Sequence, residues 1–328
     1  MHEAQLKADI LAANADDFES LVLKAFQYQR QYCEVYNRYL SLLKLDTTNI
    51  NSIGQIPFLP ITFFKTFDIR TGNFTPETVF ESSSTTGTGT SKHVVKSALW
   101  YRSTFRESFQ RAFGTPEDYC HLALLPSYLE RNNSSLVYQV NDFINHSKYA
   151  QSGFYLYDHQ ALANRIAANE AEGIPTLLWG VSFALLDFAE QFNIPMKHTR
   201  IIETGGMKGR RKEITRIEMH SLLQKSFGPN AIAGEYGMTE LMSQAYALSN
   251  GIYQCPPWMH VSGREINDPL SPAQKGRNCV LNIIDLGNID SCCFIATDDI
   301  GRVYEDNRFE VLGRLDNSDT RGCNLMIQ

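Results

Sequence analysis

The chain is predicted to be an α/β protein: a layered core of parallel strands, with a small antiparallel β subdomain near the C-terminus. Between residues 98 and 233, short apolar runs alternate with amphipathic helical stretches, and the connections are short. Strand–helix alternation of this kind yields parallel strands covered by helices. Beyond about residue 275 the helical spacing stops and strand-like runs follow one another, the pattern of antiparallel β structure.

The elements follow in order. A helix is expected over residues 15–45, where Leu21, Ala25, Tyr28, Tyr32, Val35 and Tyr39 recur at three- and four-residue steps. This tyrosine-rich stripe reads as a packing face. Residues 50–76, interrupted by Pro57, Pro60 and Gly72, read as an irregular connection. A helix over 98–113 carries Leu99, Phe105, Phe109 and Phe113 and is stopped by Gly114 and Pro116. Next come a strand at 120–125 and a helix at 134–145 capped by Ser134 or Ser135. A strand at 153–157 leads to a helix at 159–172 ended by Gly173. Strands at 175–179 and 200–203 flank a helix at 182–192. A helix at 211–227 should place Met219, Leu222, Leu223 and Phe227 on one face before Gly228-Pro229 stops it and a strand begins at 231–233. The later strands are expected at 278–285, 292–296, 301–304 and 308–312. These elements divide the chain into a helical N-terminal segment (1–78) packed on the main domain, an α/β core (79–274), and a β subdomain with a short tail (275–328).

Composition excludes several functions. With 328 residues, 43% hydrophobic and 20% charged, the chain has the make-up of a globular protein with ample core. A net charge of −6 leaves no basic excess for a nucleic-acid backbone. No apolar run reaches the roughly 20 residues that span a bilayer. Residues 1–12 include His2, Glu3, Lys7 and Asp9 and lack the apolar stretch of a signal peptide. Seven cysteines without regular spacing fit reduced thiols, and therefore a cytoplasmic protein.

Residues 80–94 hold the densest chemistry. Eight hydroxyl side chains (Ser82, Ser83, Ser84, Thr85, Thr86, Thr88, Thr90, Ser91) surround Gly87 and Gly89, and Lys92 closes the run. Glycines let backbone N–H groups turn towards an anion, hydroxyls add donors, and the lysine adds a mobile positive charge. The same composition also fits a flexible linker. The run is not a Walker loop, because Lys92 follows Ser91 rather than a glycine.

Ligands of α/β sheets gather at the carboxyl ends of the strands. Two loops are expected there, Thr204-Gly205-Gly206-Met207-Lys208-Gly209 and Gly234-Glu235-Tyr236-Gly237-Met238-Thr239-Glu240. Tyr236 offers an aromatic face and Glu240 a hard oxygen for Mg²⁺. A tight turn accounts for the Gly-Gly pair alone; the ordered Tyr-Gly-Met-Thr-Glu is more specific. His260 reads as a packed residue. Cys292 and Cys293, adjacent on a strand, point to opposite faces and make no metal pair. Gly180-Val181-Ser182-Phe183-Ala184 lacks the second glycine of a nucleophile elbow.

Taken together, the 82–92 loop, Tyr236-Gly237-Met238-Thr239-Glu240, Thr297-Asp298-Asp299 and Gly313-Arg314-Leu315-Asp316 resemble, in the same order, the motifs of the acyl-adenylate-forming superfamily. The resemblance spans residues 82–316 and implies the fold of that superfamily's N-terminal domain, with ATP and Mg²⁺ as cofactors. By it, Ser83, Ser84, Thr85, Thr86, Gly87, Thr88, Gly89 and Lys92 would hold the ATP phosphates. Gly234, Glu235, Tyr236 and Gly237 would line the adenine pocket. Thr239 would contact the α-phosphate, Glu240 would ligate Mg²⁺, Asp299 would bind the ribose hydroxyls, and Arg314 would assist at ribose or phosphate. Read in isolation, Asp299 could be a turn residue and Arg314 a surface charge. Ser84 stands where the family has glycine, Thr90-Ser91 replaces proline, and Asp298 replaces the glycine of Thr-Gly-Asp.

Most members continue past Gly-Arg-x-Asp into a C-terminal lid domain. This sequence stops fourteen residues after Arg314, and no lid domain is expected. In this the chain resembles the LuxE-type acyl-protein synthetases, which transfer an acyl group from acyl-AMP to a cysteine near the C-terminus. Cys323, sixth from the end in Arg321-Gly322-Cys323, is the matching candidate; an inert tail cysteine is the alternative. The implied function is ATP-dependent adenylation of a carboxylic acid, a fatty acid in that branch. Acyl transfer to a protein thiol follows, and a reductase or a carrier protein is an implied partner. The other expectations are an aryl- or acyl-CoA ligase of the phenylacetate type, and a catalytically degenerate binding or scaffold partner.

Overall fold

The computed structural model describes residues 3–14, 16–82, 89–125, 133–205, 211, 214–228 and 232–315. Helices α1 (Glu3–Leu11), α2 (Phe18–Tyr32) and α3 (Glu34–Leu42) open the chain. The single helix expected over 15–45 is thus two. Cys33 is extended and bridges Thr71, which interrupts the helical ladder between α2 and α3. Residues 50–76 are irregular as expected, apart from two 3₁₀ turns and β1 (Leu59–Pro60). A separate antiparallel hairpin follows, β2 (Thr78–Glu81) and β3 (Lys92–Val95), flanking the hydroxyl-rich loop.

The alternating region begins with α4 (Ala98–Phe113), whose first turn is capped by Ser97 accepting from the Trp100 N–H. Then come β4 (Cys120–Leu124), α5 (Ser135–His146, capped by Ser134), β5 (Gly153–Phe154) and α6 (His159–Glu172). Helix α6 ends at Gly173, whose φ of 67° is the left-handed position that favours glycine. Next are β6 (Thr176–Val181), α7 (Ser182–Gln191), β7 (Thr199–Thr204) and α8 (Arg216–Phe227). Helix α8 starts later than expected because Thr215 and Glu218 form a reciprocal capping box there. Its Leu222 is 50% exposed, so the buried stripe is Met219, Leu223 and Phe227 only.

Beyond α8 the described residues form strands β8 (Ile232–Tyr236), β9 (Ala245–Ala247), β10 (Tyr253–Gln254), β11 (Met259–Arg264), β12 (Asn278–Asp285), β13 (Phe294–Val303) and β14 (Arg308–Arg314), with one 3₁₀ turn (Leu286–Asp290) between β12 and β13. Strands β5, β4, β6, β7 and β8 pair in parallel. Strands β4, β6 and β8 are buried at every residue, as expected for strands covered on both faces. The ladder then continues antiparallel through β9, β10, β14, β13, β12 and β11. The two short strands expected at 292–296 and 301–304 are one strand, β13, so Thr297, Asp298 and Asp299 lie within a ladder and not in a turn. Gly301 makes this possible, because a Cβ there would collide with the Glu310 carbonyl on β14.

The N-terminal helices dock on the turn between β12 and β13. Gln29 Nε2 donates to the carbonyls of Asn288 (2.9 Å), Ile289 (3.1 Å) and Ser291 (3.2 Å), while its Oε1 accepts from the Cys293 N–H at 2.8 Å. Lys7 pairs with Asp290 at 2.6 Å.

Candidate active site

The site is built where β8 ends beside β13 and β14. Successive side chains of a strand point to opposite faces, so Glu235 and Tyr236 part company. The Tyr236 hydroxyl donates to Asp299 Oδ2 at 2.7 Å, and Arg314 Nε donates to Asp299 Oδ1 at 3.1 Å. The β13–β14 register sets Asp299 directly opposite Arg314. Thr297 Oγ1 accepts from the Asp299 N–H at 3.1 Å and donates to the Leu281 carbonyl at 2.8 Å, which steadies the strand below. The Tyr236 ring meets Phe309 at 5.2 Å and Tyr253 at 5.9 Å, both edge-on. Burial first, then the Asp299 carboxylate, pushes the Tyr236 phenol well above its usual range. Three expected site residues, Tyr236, Asp299 and Arg314, therefore meet. The same face carries buried Glu203, with Arg216 Nε 3.7 Å away and the Arg216 guanidinium 5.1 Å from the Tyr253 ring centre.

Glu235 does not join this group. Its carboxylate accepts from Gln139 Nε2 (2.7 Å), the Tyr246 hydroxyl (2.8 Å) and the Thr204 hydroxyl (3.2 Å) on the other face of the sheet. Burial raises its pKa, and the three donors only partly oppose that. Gly234 is the residue that faces the tyrosine side. A Cβ there would lie 2.8 Å from the Tyr253 hydroxyl, so only glycine lets Tyr253 sit over the strand. Gly237 is exposed at the rim, with Gln244 packed behind it.

Glu240 is buried and bonded to the Ser91 side chain. Burial raises its carboxyl pKa; Ser91 and the charge of Arg314 pull the other way. Ser91 closes the hydroxyl-rich hairpin, exchanging bonds with Ser82: Ser82 N–H to the Ser91 carbonyl at 3.0 Å, and Ser91 N–H to Ser82 Oγ at 2.9 Å. Lys92 is exposed and stands opposite Glu81 in the hairpin, on the other side of β3 from Ser91 and His93. Ser83, Ser84, Thr85, Thr86, Gly87, Thr88 and Cys323 lie outside the described residues, and Gly89 holds a φ of 88°.

Several residues of the site went unrecognised in the sequence. His93 Nδ1 lies 2.8 Å from the Thr239 carbonyl, and Asn288 Nδ2 donates to the Glu240 carbonyl at 2.9 Å. Asp285 accepts from the N–H groups of Met242 (2.9 Å) and Ser243 (3.0 Å) and from the Ser243 hydroxyl (2.7 Å). Trp258 Nε1 donates to that hydroxyl at 2.8 Å. In sequence, Asp285-Leu286-Gly287-Asn288 looks like any polar turn between two strands.

No protein-family model and no curated protein matches the chain. Solved structures do. ATP-bound MatB from Rhodopseudomonas palustris aligns with a TM-score of 0.53 at 13% identity, over 72% of this chain and 47% of that one. The O-succinylbenzoate coenzyme A synthetase MenE from Bacillus subtilis, in complex with ATP and a magnesium ion, aligns with a TM-score of 0.52 at 16% identity, over 74% of this chain and 51% of that one. A 2-hydroxyisobutyryl-CoA ligase in the postadenylation state, in complex with R3-HIB-AMP, gives a TM-score of 0.61 at 10% identity, over 92% of this chain and 69% of that one. Over the aligned residues this chain shares the fold of these three structures. It spans about half the length of the first two.

The MenE structure holds a magnesium ion, and the donor set here can be compared with what that ion needs. A buried carboxylate with a hydroxyl beside it is hard-oxygen chemistry, as Mg²⁺ requires, and Mg²⁺ commonly takes one or two carboxylates and completes its shell with phosphates and water. Among the described residues no group of three or more His, Cys, Asp or Glu could hold a metal ion by itself, so the phosphates would have to complete the shell. No described helix is long and apolar enough to cross a membrane.

Proposed function

We propose that the protein activates a carboxylic acid with ATP and then passes the acyl group to a protein thiol. The observation that carries this reading is the convergence of Tyr236, Asp299 and Arg314 at the end of β8, with Glu240 and Ser91 nearby. The acid's carboxylate oxygen attacks the α-phosphorus, the bond to the bridging oxygen breaks, and pyrophosphate leaves. In this reading Tyr236 and the glycines around it form the wall for the base, and Asp299 accepts from the ribose hydroxyls. Arg314 offsets charge at ribose or phosphate, and Thr239 bonds an α-phosphate oxygen. Lys92 and the 83–89 loop hold the leaving phosphates. Mg²⁺, held by Glu240, would neutralise charge on the phosphate oxygens. Preorganised charge is what such a reaction needs most from a protein.

In the second half-reaction a thiolate attacks the acyl carbonyl and AMP leaves. Cys323 is the proposed acceptor, and the acid is a fatty acid in the reading that the resemblance to LuxE-type synthetases implies. A reductase or carrier protein would then receive the acyl group. Residues 79–274 would form the adenylating core, with 1–78 docked on it and 275–328 as the β subdomain and tail. The six described cysteines are free and buried, in keeping with a cytoplasmic setting. Coenzyme A is the competing acceptor, because two of the similar structures are a coenzyme A synthetase and a CoA ligase.

Intact-mass analysis after incubation with ATP, Mg²⁺ and a pool of fatty and aryl acids tests the reading. A hydroxylamine-labile acyl adduct, absent from Cys323→Ala, is the expected result. AMP release only when coenzyme A is added would replace the thiol acceptor, and no pyrophosphate exchange with any acid would sink the adenylation.

A further inference from the structure

Two consecutive peptide carbonyls, those of Thr239 and Glu240, are each held by one buried side chain from a different part of the chain. His93, on β3, reaches Thr239 at 2.8 Å, and Asn288, from the turn after β12, reaches Glu240 at 2.9 Å. A carbonyl only accepts, so His93 Nδ1 carries the hydrogen. Burial lowers the His93 pKa to about 4, so the ring is neutral at higher pH, and Phe64 packs edge-on against it at 5.9 Å. Asn288 is anchored through its own carbonyl by Gln29 Nε2 at 2.9 Å. Both donors are therefore set in place by structure remote from the loop they hold.

Ser91 lies two residues before His93 and so on the same side of β3. The hairpin that carries the hydroxyl-rich loop thus meets residues 239–240 twice, at the Thr239 main chain through His93 and at the Glu240 carboxylate through Ser91. A buried carbonyl stripped of its donor destabilises the loop, which relieves that by turning the peptide plane. Turning either plane here swings the Cα–Cβ bond of Glu240. Mg²⁺ demands near-ideal octahedral geometry, so its affinity falls quickly when a ligand is misdirected.

We propose that His93 is a positioning residue: with Asn288 it holds the Thr239–Glu240 peptides so that the Glu240 carboxylate is oriented for a divalent cation, and it ties that carboxylate to the hydroxyl-rich hairpin. This rests on the reading of Glu240 as the Mg²⁺ ligand and not on the identity of the acid. If His93 only filled space, its loss would lower stability without touching the effect of the metal.

The test is ATP affinity by calorimetry on the full chain, with Mg²⁺ and with EDTA, beside amide hydrogen exchange over residues 237–243 in the nucleotide-free protein. Wild type should bind ATP more tightly with Mg²⁺. His93→Ala should lose about tenfold or more of that strengthening, as outer partners of metal ligands do, with a smaller loss in EDTA. Its 237–243 amides should exchange faster while β7 keeps its protection. His93→Asn puts an amide nitrogen where Nδ1 sits and should restore most of the effect. A wild-type Mg²⁺ effect in His93→Ala, or an Asn variant as impaired as the Ala variant, overturns the proposal. Should His93→Ala fail to fold, Asn288→Asp, of equal size but without the donor, is expected to show the same loss, and an unchanged Mg²⁺ effect in it counts against the proposal equally. Wild type that binds ATP equally with and without Mg²⁺ removes the metal role of Glu240 and this inference with it. Mg²⁺-strengthened ATP binding without pyrophosphate exchange sinks the adenylation alone.

Discussion

Two buried carboxylates, Glu235 on β8 and Asp299 on β13, flank Tyr236 from opposite faces of the sheet, and they are treated oppositely. Asp299, on the tyrosine side, has a cation: Arg314 at 3.1 Å, with the Tyr236 hydroxyl at 2.7 Å. Glu235, on the opposite face, has only neutral donors, from Gln139, Tyr246 and Thr204. The first cluster joins β8 to the consecutive strands β13 and β14, with Tyr236 and Asp299 63 residues apart, and its arginine is 70% exposed, so solvent or a ligand can reach it. The second is closed on itself, and its carboxylate carries an uncompensated cost of burial. The contrast separates an accessible charged cluster suited to a ligand from an interior polar network that joins α5 to β8 and β9.

Three substitutions can break or sharpen that contrast. The largest effect is expected from Asp299→Ala, which strips Tyr236 and Arg314 of their shared partner. ATP affinity measured by calorimetry should fall about 100-fold, the scale of a lost bond to a charged group. An unchanged affinity would leave no functional difference between the two clusters.

Glu235→Gln comes next, and it should act on stability, not on ATP. Burial raises the folded-state pKa of Glu235 above its unfolded value. The stability this group contributes is therefore fully present below the unfolded pKa, about 4.3, and is lost as pH rises through the folded pKa. Glutamine keeps the shape, its amide oxygen can serve Gln139 and Tyr246, and the Thr204 hydroxyl can turn to accept. The variant should match wild type near pH 4 and exceed it at pH 8 by about 1 kcal/mol or more in thermal melts. A variant less stable at pH 8 would mean that the network needs the charge.

Arg314→Ala should have the smallest effect. Because the side chain is mostly in solvent, its pairing with Asp299 is screened, and ATP affinity should change less than about fivefold. The change should shrink further at high salt. A salt-insensitive loss as large as that of Asp299→Ala would show that a bound nucleotide buries the guanidinium.

Much of the frame was legible before any coordinates. Helices α4 and α6 and strand β12 fall where apolar spacing and the breakers Gly114 and Gly173 set them. The misses have local causes. The 15–45 helix breaks at Cys33 because a bridge to Thr71 outweighs helical spacing, and no local signal marks that bridge. Periodicity alone puts Leu222 on one face with Met219, Leu223 and Phe227, but half of it is exposed. Asp299 could be read as a turn residue because Asp-Asp-Ile-Gly looks like one; pairing with β14 made it a strand residue.

By itself the sequence determined the alternation of the parallel core and the residue types at the site, since these depend on spacing along one chain. Only the tertiary structure decided which side each residue serves. The pleat of β8 sends Glu235 and Tyr236 to opposite faces, and the β13–β14 register brings Arg314 onto Asp299. It also drew His93, Asp285 and Asn288 to the 239–243 loop from about 150 residues upstream and about 50 downstream. Those contacts satisfy buried carbonyl and amide groups of the loop, and a buried backbone group is met by whatever donor or acceptor the fold brings near, at any distance along the chain.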